Sequence, residues 1–391
     1  MSARTESGMF RSFHVRNYRI WFIGALVSNT GAWMQATALS WVVLTQLTHN
    51  DAAAMGLTMA LQFGPQLLLV PLTGLVADRF DRRKLLVLTQ TLLMGLGIAI
   101  GILLLVDAMT LLLMYTFAVA LGVVAAFDNP ARQAFVSDLV AREYATNAVA
   151  LNAASFNGAR MIGPAAAGLV IVAVGTGWVF LINALTFLAM IVALVLIRTD
   201  QLVPRVKANG AARMSIVIFA MVFLIGAFGM NFPVFASTMA LEFGQDADGY
   251  GLLSSILAIG SLAGALLAAR RDRARIRVVI AGVALFAAAM VLSALAPTYW
   301  LYAATLMFTG FSVVTMLTTA NGYVQTTTDP ALRGRVLAIY VAILMGGTPI
   351  GAPIVGWVAS EWGPRAAILV GAVAAVVALG IGVTWTLASG R

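Results

Sequence analysis

Long apolar segments alternate with short, mostly basic segments along the whole chain of 391 residues. Each apolar segment has about 20 residues or more, enough for a helix to cross the hydrocarbon core of a bilayer. Backbone groups in lipid must be satisfied within their own segment, so each segment is expected to be a helix. The pattern predicts twelve spans, at residues 18–46, 53–77, 85–106, 109–131, 146–173, 176–198, 215–240, 250–269, 277–296, 298–323, 333–360 and 364–388.

The basic residues predict how these spans are oriented. Of the 24 Lys and Arg residues, only Arg365 lies in a loop that this count places outside, and only Arg160 lies deep within a span. The others lie at the termini, or in or beside the loops after spans 2, 4, 6, 8 and 10. Short basic loops stay on the cytoplasmic side of a membrane. We therefore expect an inner-membrane protein with both termini in the cytoplasm.

Composition favours one membrane-embedded body. Apolar residues make up 61% of the chain and charged residues 10%, against about 25% charged in soluble proteins. The net charge of +9 fits basic loops that face anionic lipid headgroups, so nucleic acid is not an expected partner. The sequence contains no Ser/His/Asp set, metal-ligand cluster or phosphate-binding loop. We expect no enzyme, cofactor or metal site; the expected partners of the monomer are the bilayer, protons and a small-molecule substrate.

The second half of the chain repeats the first. A shift of 188 residues places Gly163 and Gly168 of span 5 on Gly351 and Gly356 of span 11. An offset of six spans keeps the membrane orientation, so the pattern predicts an all-α membrane protein made of two parallel six-helix repeats. The predicted division is an N-terminal bundle at 1–198, a cytoplasmic linker at 199–214 and a C-terminal bundle at 215–391.

The loop between spans 2 and 3 carries the densest cluster of charge. Its pattern Gly-x-x-x-Asp-Arg-x-x-Arg-Arg resembles the signature loop between helices 2 and 3 of major facilitator superfamily transporters. The resemblance implies a latch that bridges to the other half when the cytoplasmic side is closed and releases when it opens. The alternative is a topological role, in which basic residues only anchor the loop. The latch residues are Gly74, Asp78, Arg79, Arg82 and Arg83.

Three further segments resemble one branch of this superfamily, which holds enterobactin-type siderophore exporters and macrolide-type drug efflux proteins. The segments are 16–35, 128–136 and 333–336. The resemblance covers nearly the whole chain and implies the major facilitator fold, alternating access and export coupled to the proton gradient. Two features depart from the branch. Ala36 and Ser40 replace a basic residue and an Asp of several relatives, and the amphipathic segment usual before span 7 is missing.

Proton coupling requires a titratable group that water can reach. Asp128 and Asp78 are the candidate acids, and Arg132 lies four residues after Asp128, on the same face of span 4. Asp128 is expected to couple transport to protons. The alternatives are a local ion pair at the level of the headgroups, coupling through groups of the substrate, and a facilitator without coupling.

Span 5 contains a motif that resembles the antiporter motif of exporters in the superfamily, formed by Arg160, Gly163, Pro164 and Gly168. Small residues allow a neighbouring helix to approach closely, and proline bends a helix by removing a backbone hydrogen bond. The motif favours export over import, although its partial repetition in span 11 weakens that argument.

Arg160 lies deep within span 5. A cation at the centre of a membrane helix costs about 2.5 kcal/mol or more, so it must face a cavity or a partner. The expected partner is cavity water, or an acceptor such as Asn152 or Asn157.

Polar and aromatic residues in spans 1, 7 and 10 suggest the wall of a substrate cavity, because the resemblance places these spans around the centre. Such surfaces suit bulky amphipathic ligands. The alternative is that hydroxyl groups bond back to their own helix and aromatic rings fill helix interfaces. The candidate residues are Asn29, Trp33, Gln35, Asn231, Phe235, Phe308 and Thr315.

Three functions remain open. The first is a secondary active transporter that exports hydrophobic or amphipathic molecules, as in drug efflux. The second is a dedicated exporter of one secreted metabolite such as a siderophore. The third is a non-transporting membrane sensor on a transporter scaffold, since fold alone does not determine function.

Overall fold

A computed structural model of the chain describes residues 11–69, 72–73, 76, 80–202, 216–269, 275–327, 336, 340, 343–344 and 346–388. Within these residues there are no strands, and the chain forms twelve long helices. They are α1 (Arg16–Trp41), α2 (Ala52–Leu68), α3 (Arg82–Leu105), α4 (Leu111–Asp138), α5 (Arg142–Val174), α6 (Thr176–Leu196), α7 (Ile216–Glu242), α8 (Ala247–Ala269), α9 (Ile276–Leu295), α10 (Tyr299–Thr327), α11 (Thr348–Trp362) and α12 (Pro364–Ala388).

Local sequence signals explain several helix ends and breaks. Asp51 caps α2, since its carboxylate accepts hydrogen bonds from the backbone N–H groups of the first turn, and Asp81 caps α3 in the same way. The first helix continues into a π-helical turn, Val42–Gln46. A second π-helical turn, Ile225–Gly229, interrupts α7.

The helices are long and apolar in the way the sequence predicts. Eight of the described helices are long and apolar enough to cross a membrane, namely α3, α4, α6, α7, α8, α9, α10 and α12. The observed helices α4 and α5 extend beyond the predicted spans, to Asp138 and back to Arg142. Hydropathy falls before the backbone helix ends, because polar residues can continue a helix outside the hydrocarbon. Parts of predicted spans 2 and 11 lie outside the described residues.

The two halves repeat the same helix packing. In the first half, α1 packs on α5 and α6, α2 on α4, and α3 on α4 and α6. In the second half, α7 packs on α11 and α12, α8 on α10, and α9 on α10 and α12. Each pair therefore recurs six helices later, which confirms two parallel six-helix repeats. The limits of the predicted linker stay a prediction, because 203–215 lie outside the described residues.

A matching pair of glycines joins helices in the two repeats. Gly175 links α5 to α6 with φ +95°, and Gly363 links α11 to α12 with φ +87°. This region of backbone conformation favours glycine, which lacks a Cβ. The two residues are 188 positions apart, so the shift seen in the sequence also describes the fold.

The two repeats meet along two equivalent helix pairs, α2 with α11 and α5 with α8. The odd-numbered loops, such as the α1–α2 loop, lie at the face that the sequence predicts to be outer. The even-numbered loops lie at the predicted cytoplasmic face.

Candidate functional site

A cavity of about 560 Å³ lies within the first repeat. Nine of its eighteen lining residues carry an amide or a charge, and the other nine are apolar. The lining runs from Arg132, Gln133 and Val136 in the last two turns of α4, at the predicted cytoplasmic end, to Leu39 toward the other end of α1. The lining residues are Asn29, Ala32, Gln35, Ala36, Leu39, Gln62, Leu93, Leu121, Ala125, Asp128, Asn129, Arg132, Gln133, Val136, Asn152, Phe156, Asn183 and Phe187.

Asp128 is the centre of a buried polar network at one side of this cavity. The side chain of Asp128 is only 5% exposed. Its Oδ1 accepts hydrogen bonds from Thr89 Oγ1 at 2.6 Å and Gln90 Nε2 at 2.8 Å. Its Oδ2 pairs with Arg132 Nε at 3.2 Å. The carboxylate is therefore bound on both oxygens, as a buried charge requires.

The same network reaches α1 through two residues. Arg132 donates from a terminal guanidinium nitrogen to Asn29 Oδ1 at 3.3 Å. Ser28 Oγ donates to Gln90 Oε1 at 3.5 Å. A change in the charge of Asp128 would therefore alter hydrogen bonds that connect α1, α3 and α4.

A second polar contact holds α1 against α6 at the cavity wall. Asn183 Nδ2 donates to Gln35 Oε1 at 2.7 Å, and Thr186 Oγ1 donates to Asn183 Oδ1 at 2.8 Å. Gln35 and Asn183 both line the cavity. The bonded pair therefore forms a polar section of the cavity wall between α1 and α6.

Arg160 lies over the ring of Trp33, with its guanidinium carbon 5.3 Å from the ring centroid. The same ring meets Phe156 edge to face at 5.7 Å. Of the two acceptors expected from the sequence, Asn152 lines the cavity and accepts from Trp21 Nε1 at 3.5 Å. The side chain of Asn157 lies outside the described residues.

Glycines form the two crossings between the repeats. A Cβ on Gly168 of α5 would lie 2.8 Å from the carbonyl oxygen of Ala247 in α8, and one on Gly251 would lie 2.5 Å from that of Pro164. The equivalent crossing of α2 and α11 follows the same scheme. A Cβ on Gly356 would overlap the carbonyl of Ala52, and one on Gly56 would overlap that of Ala352.

Gly163 is used differently from Gly168. A Cβ at Gly163 would lie 2.6 Å from the Cβ of Trp33. Gly163 therefore brings α5 close to α1 within the first repeat, whereas Gly168 brings α5 close to the second repeat.

Three of the described side-chain contacts between the repeats lie near the predicted outer face. The Ser360 hydroxyl donates to Asp51 Oδ1 at 2.9 Å, and the Ser237 hydroxyl approaches Met55 Sδ at 3.4 Å. The third contact is a ring stack between Trp41 and Tyr250, with centroids 6.0 Å apart.

Two of the predicted latch residues are engaged within the first repeat. Arg82 pairs with Asp138 at 2.8 Å, at the end of α4. Arg83 donates to the carbonyl oxygens of Leu194 and Val195 at the end of α6, at 2.6 and 2.8 Å. The other predicted latch residues, Gly74, Asp78 and Arg79, lie outside the described residues.

The candidate cavity residues of the second repeat do not line the described cavity. Asn231 is buried and donates to the Ala227 carbonyl of its own helix at 2.6 Å. Phe235 is packed in the apolar core, and Thr315 is buried against the Gly264 carbonyl. Phe308 is 58% exposed. The structure thus brings together Asn29 and Gln35 at the cavity, with Trp33 beside it.

Sequence reasoning missed Thr89, Gln90, Asn183 and Ser360. Asn183 carried a usable signal, because it is an amide in the middle of the otherwise apolar α6. Ser360 carried none, since its partner Asp51 is 309 residues away.

The chain matches a known protein family over nearly its whole length. A family model described as transmembrane secretion effector matches residues 7–390. The chain is 29% identical over 188 residues to the staphyloferrin A transporter of Staphylococcus aureus, covering 45% of this chain and 44% of that protein. It is 30% identical over 186 residues to an uncharacterized major facilitator superfamily transporter, YfiS, of Bacillus subtilis, covering 47% and 42%. The matches thus span less than half the length of these relatives.

Solved structures match over nearly the whole chain. A bacterial homologue of the human lysosomal transporter Spinster, inward-facing and unoccupied, superposes with a TM-score of 0.75 at 13% identity. The match covers 94% of this chain and 96% of that one, and it shows the same fold. The chain is therefore a multi-pass membrane protein of the transmembrane secretion effector family, whose relatives here are major facilitator superfamily transporters and not enzymes.

Proposed function

We propose that the protein is a secondary active transporter that exports small organic molecules across the inner membrane by alternating access. Both termini lie in the cytoplasm in this proposal, and the protein works as a monomer. The observation that carries it is the separation of two features. The repeats are joined by side chains near the predicted outer face, whereas the cavity extends to the last two turns of α4, near the predicted cytoplasmic face.

In this proposal the described arrangement corresponds to an inward-facing state. The bond between Asp51 and Ser360 closes the outer side, while Arg132 and Gln133 line the cavity near the opposite end of α4. Substrate from the cytoplasm can load in this state. Separation of the repeats at the outer face would then release it, which is the direction that export requires.

The cavity lining supports a substrate with both polar and apolar parts. Apolar residues such as Leu93 and Phe187 line the same space as amides such as Gln35 and Asn183. A purely hydrocarbon substrate would displace water from the polar lining groups without offering them hydrogen bonds, which is costly. The second candidate of the sequence analysis, a dedicated exporter of a metabolite such as a siderophore, is therefore favoured over efflux of purely hydrophobic drugs. The similarity to a staphyloferrin A transporter supports the same choice.

Asp128 is the proposed proton-coupling group, with Arg132 as its partner. Protonation of the carboxylate would remove its charge pairing with Arg132 at Oδ2. Arg132 would then interact more strongly with Asn29 or with the substrate. Proton binding would thus change the bonds among α1, α3 and α4, which is what a coupling site must do.

The latch of Gly74, Asp78, Arg79, Arg82 and Arg83 is proposed to close the cytoplasmic side in the other state. In the present state Arg82 and Arg83 bind groups of their own repeat. That arrangement supports a released latch, because the partners of these two side chains among the described residues all belong to the first repeat.

Transport in inside-out vesicles tests the proposal. An exporter should accumulate a siderophore-type or amphipathic compound when a proton gradient is imposed and stop when the gradient is collapsed. Asp78→Asn should abolish the gradient-dependent uptake. Asp107→Asn is the matched control, because Asp107 has φ 54°, a conformation that asparagine tolerates. Absence of flux for every compound of a broad panel would reject transport and favour the sensor.

A further inference from the structure

The side of α5 that carries Arg160 faces the interior of the molecule. With 3.6 residues per turn, Arg160 lies on the strip of α5 between Gly163, which contacts α1, and Pro164, which contacts α8. The opposite side of the helix carries Ile162 and Leu169, which are 52% and 67% exposed. Arg160 therefore points away from the lipid and toward the space between the repeats.

The guanidinium of Arg160 has no counter-ion in the described part of the chain. Its contact there is the face of Trp33, and the ion pairs of the described acids go to other partners: Asp128 binds Arg132 and Asp138 binds Arg82. A cation–π contact orients a guanidinium but leaves its N–H groups free to donate. Arg160 is thus a positioned donor with unused capacity.

An unpaired cation at this depth is costly, and such residues in membrane proteins usually face a substrate path. Phe156, one helical turn before Arg160, lines the amide-rich cavity and touches the same Trp33 ring. Arg160 therefore adjoins that cavity on the side of the molecular centre. Guanidinium groups bind the oxygens of carboxylates and phosphates through two parallel hydrogen bonds.

We propose that Arg160, held by Trp33, binds an oxyanion of the transported substrate, either a carboxylate or a phosphate. The amides of Asn29, Gln35 and Asn183 would face the uncharged polar part of the same molecule. This proposal names the substrate class of the proposed exporter and rests on that function. It predicts a polar anionic substrate and excludes lipophilic cations as the preferred ligands.

Binding to the purified protein in detergent tests the site without any transport. Thermal unfolding is followed with citrate, glucose 6-phosphate, the neutral trimethyl ester of citrate or ethidium as the probe. Citrate or glucose 6-phosphate should raise the unfolding temperature of the wild type, and which of them does so distinguishes carboxylate from phosphate. Arg160→Gln should weaken the apparent affinity by at least roughly tenfold, the loss expected for a charge-assisted bidentate pair. Arg160→Lys should keep part of the binding.

Arg365→Gln is the matched control, because Arg365 pairs with Glu242 near the predicted outer face, far from the cavity. It should bind the anionic probes as the wild type does. Equal binding by wild type and Arg160→Gln, a response to ethidium or the ester alone, or no response to either anion would each overturn the proposal.

The binding experiment separates the anion site from the proposed export, because binding is measured without any transport. A protein that binds citrate through Arg160 but moves no compound in vesicles would refute export and leave an anion site. A protein that exports compounds but binds neither anion would refute the anion site alone.

Discussion

Asp51 and Ser360 connect the two six-helix repeats at the predicted outer face. The Ser360 hydroxyl donates to Asp51 Oδ1 at 2.9 Å and accepts from the Ala53 backbone N–H at 2.9 Å. The same carboxylate oxygen caps α2 by accepting from Ala53 and Ala54. The helix cap can persist when the repeats separate, whereas the bond to Ser360 must break. In the proposed cycle, this contact therefore distinguishes the closed from the open outer side.

A cross-link between these two positions should stop transport. The chain has no cysteine, so the double variant Asp51→Cys and Ser360→Cys carries the only two thiols. A short bifunctional thiol reagent should join them and reduce flux to background, because α2 and α11 could no longer part. Flux in vesicles before and after treatment measures this. Each single-cysteine variant serves as a control and should keep its flux under the reagent. Undiminished flux in the cross-linked protein would show that α2 and α11 need not separate at the outer face during transport.

Added side-chain volume at the glycine crossings should disfavour the inward-facing state. Gly168→Ala or Gly356→Ala places a methyl group against the carbonyl of Ala247 or Ala52. Overpacking costs about 1–3 kcal/mol, which corresponds to a roughly 5–150-fold shift in a two-state equilibrium. Labelling of a cysteine at Ala36, which lines the cavity, should become slower from the cytoplasmic side.

The control for this experiment is Gly95→Ala. A Cβ at Gly95 meets no atom within 4 Å, so the substitution adds the same methyl group without a contact. Its labelling rate should match that of the wild type. Unchanged labelling in both crossing variants would show that these contacts do not set the balance between states.

Much of the fold follows from the sequence because its causes are local. Segment length and hydropathy predict the helices, and the 188-residue shift that aligns Gly168 with Gly356 also aligns the two crossings of the repeats. The Asp128–Arg132 pair follows from its spacing of four residues on a helix. These features can be recognised from residues within one helix, or from a comparison of the two halves of the sequence.

The remaining site depends on contacts between distant segments. No spacing rule places Thr89 and Gln90 on the carboxylate of Asp128, because they come from another helix, 39 and 38 residues away. Asn231 shows the opposite limit. An amide in an apolar helix suggests a cavity, but the amide N–H of Asn231 donates to a carbonyl of its own helix and the side chain does not line the described cavity. Composition alone does not distinguish these two outcomes.

Removal of Arg82 should destabilise the protein near the predicted cytoplasmic face. Asp138 would remain half-buried without its 2.8 Å partner, and an unsatisfied polar group of this kind costs about 1–3 kcal/mol. Arg82→Gln should therefore lower the apparent unfolding temperature in detergent, and the exchange Arg82→Asp with Asp138→Arg should recover part of the loss. Lys84→Gln is the control, since Lys84 is exposed and such changes stay within about 0.5 kcal/mol. An equal loss in Lys84→Gln would assign the effect to net charge instead.

The Asp128–Arg132 pair should show coupling in both stability and transport. Arg132→Gln leaves a buried carboxylate without its cation, which costs about 3–5 kcal/mol. Adding Asp128→Asn removes that charge, so the double variant should lose less than the sum of the two single variants, by about 0.5–3 kcal/mol. Unfolding in detergent measures this difference.

In vesicles, Asp128→Asn should also remove the dependence of flux on the proton gradient, because the network that joins α3 to Arg132 then has no carboxylate to bind a proton. Wild-type coupling in Asp128→Asn at every pH tested would exclude this carboxylate as the proton site, and additive losses of stability would show that the pair acts as two independent groups.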